Sequence, residues 1–202
     1  MFRTALGLIA GLMFATSALA LPVIGQPAPD FKAVDAVSGK NVALSDFKGK
    51  IVVLEWNNFG CPFVNKFYSS GAMQKFQANA VHDGVVWISV NSSADGKEGY
   101  LTDAATAKAA MAEHHSNASH YLLDHDGAIG HLYGAKTTPH MFVIDTKGNL
   151  AYMGAIDDKP TADPADIEGA TNYVAMAIKN LRDGTPIQTT TTRSYGCFVK
   201  YE

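Results

Sequence analysis

Cys61 and Cys197 are the only thiols in a chain of 202 residues. Cys61 closes the stretch Leu54-Glu55-Trp56-Asn57-Asn58-Phe59-Gly60 and is followed at once by Pro62. Upstream, the apolar run Ile51-Val52-Val53-Leu54 reads as a buried strand. Proline is favoured at the first helical position, because the N–H it lacks would be unpaired there. Cys61 is therefore expected where a strand gives way to a helix. Such a helix end presents free N–H groups and partial positive charge, which favour a thiolate over a thiol. An ordinary thiol is only ~3% thiolate at pH 7, so placement matters. Read this way, Cys61 is an exposed redox centre that attacks a disulfide or an oxidant. The plainer alternative is an inert cysteine packed as a small hydrophobe.

Cys197 sits in Tyr195-Gly196-Cys197-Phe198, where the glycine allows a bend that presents the sulfur. Two cysteines permit one intramolecular connectivity, Cys61–Cys197, beside intermolecular bonds or two free thiols. A bond closing so long a loop would contribute up to ~5 kcal/mol in a chain-entropy account.

The elements that must position these groups follow from periodicity and punctuation. Residues 22–30 are a proline-rich lead-in. Phe31–Ala36 and Asn41–Leu44 are strand candidates around the Ser38-Gly39-Lys40 turn. Residues 45–50 form a tight connection into the central strand Ile51–Trp56. The Cys61 helix breaks at Ser69-Ser70-Gly71 and resumes over Ala72–Ala80. Val85–Val90 is the next buried strand, and Thr102 is expected to cap a helix over Asp103–His114. Tyr121–Leu123 is a short strand and Ala128–Tyr133 a short helix closed by Gly134. His140–Ile144 and Leu150–Ile156 form a hairpin around Asp145–Asn149. A loop over Asp157–Asp166 leads to a last helix near Thr171–Leu181, and Thr189–Thr192 is extended. Strands alternating with helices, then a hairpin, argue for one α/β domain with a mixed sheet.

The composition, 47% hydrophobic with net charge −3, suits a single domain with an ample core. Its weakly acidic balance gives no support for nucleic-acid binding. Residues 1–20 combine Arg3, an apolar centre and Ser17-Ala18-Leu19-Ala20, the pattern of a signal peptide cleaved after Ala20. The protein is accordingly expected outside the cytoplasm, periplasmic or secreted, touching a membrane only through that segment if it stays uncleaved. Residues 21–183 are the expected domain, and 184–202 a tail carrying Cys197.

Three features together resemble the thioredoxin superfamily. They are Gly25-Gln26-Pro27-Ala28-Pro29-Asp30-Phe31 followed by residues 39–54, the strand–Cys61-Pro62–helix junction, and Thr137-Thr138-Pro139 opening a strand. The pattern is similar to exported redoxin-domain proteins between the thiol:disulfide interchange proteins and the peroxiredoxins (the alkyl hydroperoxide reductase/thiol-specific antioxidant group). The resemblance covers roughly residues 22–156. It implies a mixed central sheet with helices on both faces and an N-terminal β-hairpin. It also implies a cis Pro139 beside the active cysteine, with Pro62 and Thr138 at the substrate face, and a proton-relay role for a buried Glu55, six residues before Cys61. Two departures stand out. Val64 replaces the second cysteine of a Cys-x-x-Cys motif. Asn58 occupies the place of the threonine that binds peroxide in peroxiredoxins.

Cys197 lies outside the resemblance. It can serve as a resolving thiol for Cys61, as half of a permanent structural bond, or as a partner for a second subunit. Seven histidines show no i, i+4 pairing for a metal. His114, His115 and His120 read as solvated, and His140 as a core strand residue. Asp157-Asp158-Lys159 reads as a solvated loop. Asp124–Gly127 misses the spacing of a calcium loop. Glu55 could alternatively meet a lysine such as Lys66.

The leading function is a thiol-dependent oxidoreductase using no cofactor, with a thiol reductant or a disulfide-bearing protein as partner. The alternatives are a peroxide reductase, or a binding module in which the cysteines form a staple or Cys61 joins a histidine at copper.

Overall fold

The computed structural model describes residues 21–202. The expected signal segment lies outside the described residues. The elements in chain order begin with β1 (Lys32–Val34) and β2 (Asn41–Ala43), a 3-10 turn over Leu44–Phe47, and β3 (Val52–Trp56). Next come α1 (Pro62–Ser69), α2 (Ala72–His82), β4 (Val86–Asn91), α3 (Ala104–Glu113), β5 (His120–Leu123) and α4 (Ala128–Tyr133). The chain continues with β6 (Thr137–Thr138), β7 (His140–Ile144), β8 (Leu150–Gly154), α5 (Tyr173–Asp183) and β9 (Cys197–Phe198).

Five strands form the central sheet in the order β5-β4-β3-β7-β8. β3 pairs in parallel with β4 and antiparallel with β7, so the sheet is mixed. All five residues of β3 are buried, as a strand covered on both faces requires. Its side chains alternate between two cores. Val53 faces a layer built from α1, α2 and α5, including Val64, Tyr68, Met73, Val174 and Ile178. Val52, Leu54 and Trp56 face Phe31, Leu44, Ile129 and Tyr133, under the β1–β2 hairpin and α4. This is the thioredoxin-like fold that the resemblance implied, with helices on both faces.

Local chemistry accounts for the boundaries. Gly71, at φ +78°, separates α1 from α2. Gly134, at φ +61°, closes α4 as expected. Asp103, not Thr102, caps α3. Its carboxylate accepts from the Thr106 N–H at 2.9 Å, and the Thr106 hydroxyl accepts from the Asp103 N–H at 3.0 Å. β8 stops at Gly154 rather than running to Ile156. Gly154 turns at φ +145°, and a Cβ there would lie 2.2 Å from Thr192 Oγ1, because the tail crosses at that point.

The tail is stitched along its length. Thr190 and Thr192 exchange backbone bonds with Met153, the Val199 N–H donates to Lys136, and the Ala94 N–H donates to Lys200. Thr192 Oγ1 also accepts from the Ala155 N–H at 2.9 Å. β9 pairs antiparallel with β6, aligning Cys197 with Thr138. Sequence periodicity gave no sign of this pairing.

Candidate active site

Cys61 is the N-cap residue of α1 and Pro62 the first helical residue, as strand and proline chemistry predicted. Two expectations about the sulfur need correction. Cys61 is fully buried rather than exposed, with Cys197 of the tail and the Thr138 carbonyl against its sulfur. The sulfur also makes no capping contact with the N–H groups of the first turn. It lies 3.0 Å from the Thr138 carbonyl oxygen, where an S–H can donate. The Thr138–Pro139 peptide bond is cis, and the buried Thr138 hydroxyl has no hydrogen-bond partner among the described residues.

Cys197 reaches the same corner from the other end of the chain. The two Sγ atoms lie 2.6 Å apart, with no disulfide between them. The backbone that achieves this requires glycine. Gly196 adopts φ +131°, and a Cβ there would lie 2.1 Å from the Thr138 carbonyl oxygen. The Cys197 thiol is pushed up to about 12, first by burial and then by the hydrogen bond with Cys61. Phe198, the next residue, is 79% exposed.

Glu55 is fully buried on β3, on the helical face of the sheet. Its carboxyl is ringed by donors. They are Trp87 Nε1 at 2.7 Å, Gln77 Nε2 at 3.0 Å, Asn57 Nδ2 at 3.1 Å, the Tyr68 hydroxyl at 3.2 Å and the Ser89 hydroxyl at 3.3 Å. Burial nevertheless raises its pKa above the ordinary carboxyl value, although these donors pull the other way. Among the described residues no hydrogen bond joins Glu55 to either sulfur. Lys66 does not meet it.

Asn58 is buried and engaged at both ends of its amide. Oδ1 accepts from the Gly60 N–H at 2.8 Å, and Nδ2 donates to the Glu98 carbonyl at 3.0 Å. It fastens the Cys61 turn to the loop near Gly99, where a Cβ would lie 2.0 Å from Asn58 Oδ1.

Of Asp157-Asp158-Lys159, the last two are exposed as expected, and Asp157 alone departs from the solvated reading. Asp157 and Lys66 are both buried, and Lys66 Nζ lies 3.6 Å from Asp157 Oδ2. Lys66 Nζ donates to the Lys159 carbonyl at 2.9 Å. The Tyr195 hydroxyl donates to Asp157 Oδ1, and Lys66 Nζ stands 5.9 Å from the Tyr195 ring centre. Sequence reasoning missed this group; only the Tyr195-Gly196 bend hinted at a fitted tail. His120 is only half-buried, but its Nδ1 is engaged, 3.1 Å from the buried Asp35 carboxylate. His114 stacks on Phe59 with ring centres 4.2 Å apart. His140 is buried in β7 as expected, and desolvation lowers its pKa to about 4. No group of three or more metal-ligating side chains occurs among the described residues.

The sequence profile of the Redoxin family matches residues 24–171. The chain belongs to the Redoxin family. The match takes in Cys61, Glu55 and Pro139 and stops short of Cys197. Peroxiredoxin-2 of Bos taurus is 31% identical to it over 157 residues, covering 71% of this chain and 73% of that protein. Among solved structures, a hypothetical protein from Sinorhizobium meliloti 1021 superposes with a TM-score of 0.75 at 25% identity, over 89% of this chain and 95% of that one. A secreted disulfide oxidoreductase from Mycobacterium tuberculosis shares the fold, with a TM-score of 0.52 at 20% identity over 75% of this chain and 96% of that one. The Redoxin match thus sits on a thioredoxin-like fold.

Proposed function

We propose that the protein is an exported thiol:disulfide oxidoreductase in which Cys61 is the nucleophile and Cys197 the resolving thiol. The observation that carries this reading is the meeting of two cysteine sulfurs, 136 positions apart in the chain, at 2.6 Å on the N-cap of α1. Cys61 attacks an external disulfide, forming a mixed disulfide and releasing one thiol. Cys197 then attacks the Cys61 sulfur. The mixed bond breaks, the Cys61–Cys197 bond forms, and the second external thiol leaves with the proton that Cys197 gives up. The external disulfide is reduced and the protein oxidised, and the reverse sequence oxidises a dithiol. Because Cys61 is covered, the tail must lift before the first attack. Thr138, its unpartnered hydroxyl and Pro139 then form the face that an incoming chain meets, beside Pro62. Glu55 supplies or stores a proton behind the sulfurs, and Asn58 keeps the Cys61 turn in place.

Oxidised glutathione tests the reading. The reduced protein is expected to lose two hydrogens in mass and to gain a Cys61–Cys197 crosslink in the peptide map. Cys197→Ser is expected to stop at a Cys61–glutathione adduct. Unmodified sulfurs in both proteins would sink the proposal. A reduction potential well below about −300 mV would instead mark the bond as a permanent staple.

A second reading, peroxide reduction, is favoured by the identity with Peroxiredoxin-2. There the Cys61 thiolate takes one oxygen from the peroxide to become a sulfenic acid, releasing water or an alcohol. Cys197 condenses with it, releasing water and closing the disulfide. Peroxide consumption that Cys61→Ser abolishes, with a sulfenic acid trapped by dimedone in Cys197→Ser, supports this route. The assignment to the periplasm or medium rests on residues 1–20, and a mature N-terminus at Leu21 checks it.

A further inference from the structure

Lys66, Asp157 and Tyr195 come from three separate segments: the helix that carries Cys61, the loop after β8, and the tail two residues before Cys197. The Lys66 side chain has no exposed surface and that of Asp157 only 2%. One oxygen of Asp157 accepts the Tyr195 hydroxyl, and the other faces the Lys66 ammonium. Lys66 is held in turn by the Lys159 carbonyl, and the Tyr195 ring rests edge-on against Phe63 in the first turn of α1, with ring centres 5.9 Å apart. Burying two charges costs more than filling the same space with apolar side chains, which often gives equal or greater stability. Packing alone therefore does not account for the trio. What it does fix is the register of the tail against α1, at the one place where the two sulfurs must meet.

We propose that Lys66, Asp157 and Tyr195 are positioning residues that clamp the tail over α1 and so present Cys197 to Cys61. The proposal deepens the reading of Cys197 as the resolving thiol and rests on it for its chemical purpose. The step served is the second exchange. Cys197 attacks the Cys61 sulfur of a mixed disulfide, one S–S bond breaks as another forms, and the departing thiol takes up the Cys197 proton. The clamp touches neither sulfur; it raises the fraction of time that Cys197 stands within reach. It also keeps external reagents off Cys61 while it is closed.

Tyr195→Phe removes one hydroxyl and keeps the ring on Phe63. In a Cys197→Ser background, where no internal bond can form, this change is expected to raise the rate of Cys61 alkylation by iodoacetamide at least about tenfold, by favouring local opening of the tail. The guanidinium unfolding curve is read in parallel. An unchanged alkylation rate overturns the proposal, and so does a rise fully accounted for by global unfolding. In the two-cysteine protein, Tyr195→Phe is expected to lower the ratio of internal to mixed disulfide in a glutathione buffer about tenfold, through a lower effective concentration of Cys197. Asp157→Asn should do the same, and the double variant should add little further, as groups sharing one interaction require. Additive losses overturn the clamp. If the alkylation arm responds but the unaltered protein forms no internal disulfide, the clamp stands and the resolving role of Cys197 falls.

Discussion

Glu55 and His140 are buried side chains that pull the pH dependence of stability in opposite directions. Burial raises the Glu55 pKa above its ordinary 4.5. Below the unfolded value both states are protonated, and the folded state keeps its full advantage. That advantage is lost as pH rises through the folded pKa, because the anion must then be held without water. Glu55→Gln should remove this loss, so urea midpoints of the native protein should fall relative to the variant from about pH 4.5 towards neutrality. His140 is the converse case, lowered from 6.5 to about 4 by desolvation. Its contribution is complete above pH 6.5 and is lost as pH falls through 4, a span worth about 3 kcal/mol. His140→Gln should flatten that acid limb, at a cost of about 1 kcal/mol for the acceptor lost to the Lys136 N–H. Of the residues themselves, the places of Cys61 and Pro62 were legible because adjacent residue types define a strand end and a helix start, whereas Glu55 was singled out by the family resemblance. Lys66 and Asp157 were not. Each looks like an ordinary surface charge until segments far apart in sequence close over it.

The elements were the most legible level, and the failures share a cause. β3, β4 and β7 announce themselves as apolar runs, and α4 ends at the glycine that its punctuation marked. β6 and β9 hold two residues each, too few to show any period. Their pairing depends on Gly196, whose backbone lies against the Thr138 carbonyl. Gly196→Ala should therefore detach β9 while leaving the five-stranded sheet intact. The expected result is slower closure of the Cys61–Cys197 bond by about tenfold or more, measured by quenched alkylation after oxidation, with far-ultraviolet circular dichroism unchanged. Closure at the native rate would mean that the tail finds its register without this contact.

At the scale of the molecule, the residues that follow α5 return across the fold as a strap. The central sheet uses no residue beyond Gly154, so deletion of residues 188–202 should leave a cooperatively folding domain with a lower urea midpoint. The loss reflects the tail's bonds to Met153, Ala155, Lys136 and Ala94. The same deletion should bring Cys61 alkylation near the rate of a free thiol, and protection that persists without the strap would show that other residues cover the sulfur. The sequence showed the strap's cysteine. It did not show where the strap would lie, because that is set by shape rather than by periodicity.

Cys61 sits beneath the same segment that delivers its second thiol. When Cys61 acts as proposed, baring it and answering it are successive events and cannot coincide. A guest bound to it remains attached for as long as the roof is off, so the return of the strap, more than sulfur reactivity, acts as the timer of the exchange. Loosening the strap would lengthen each visit, and tightening it would make visits rarer and shorter.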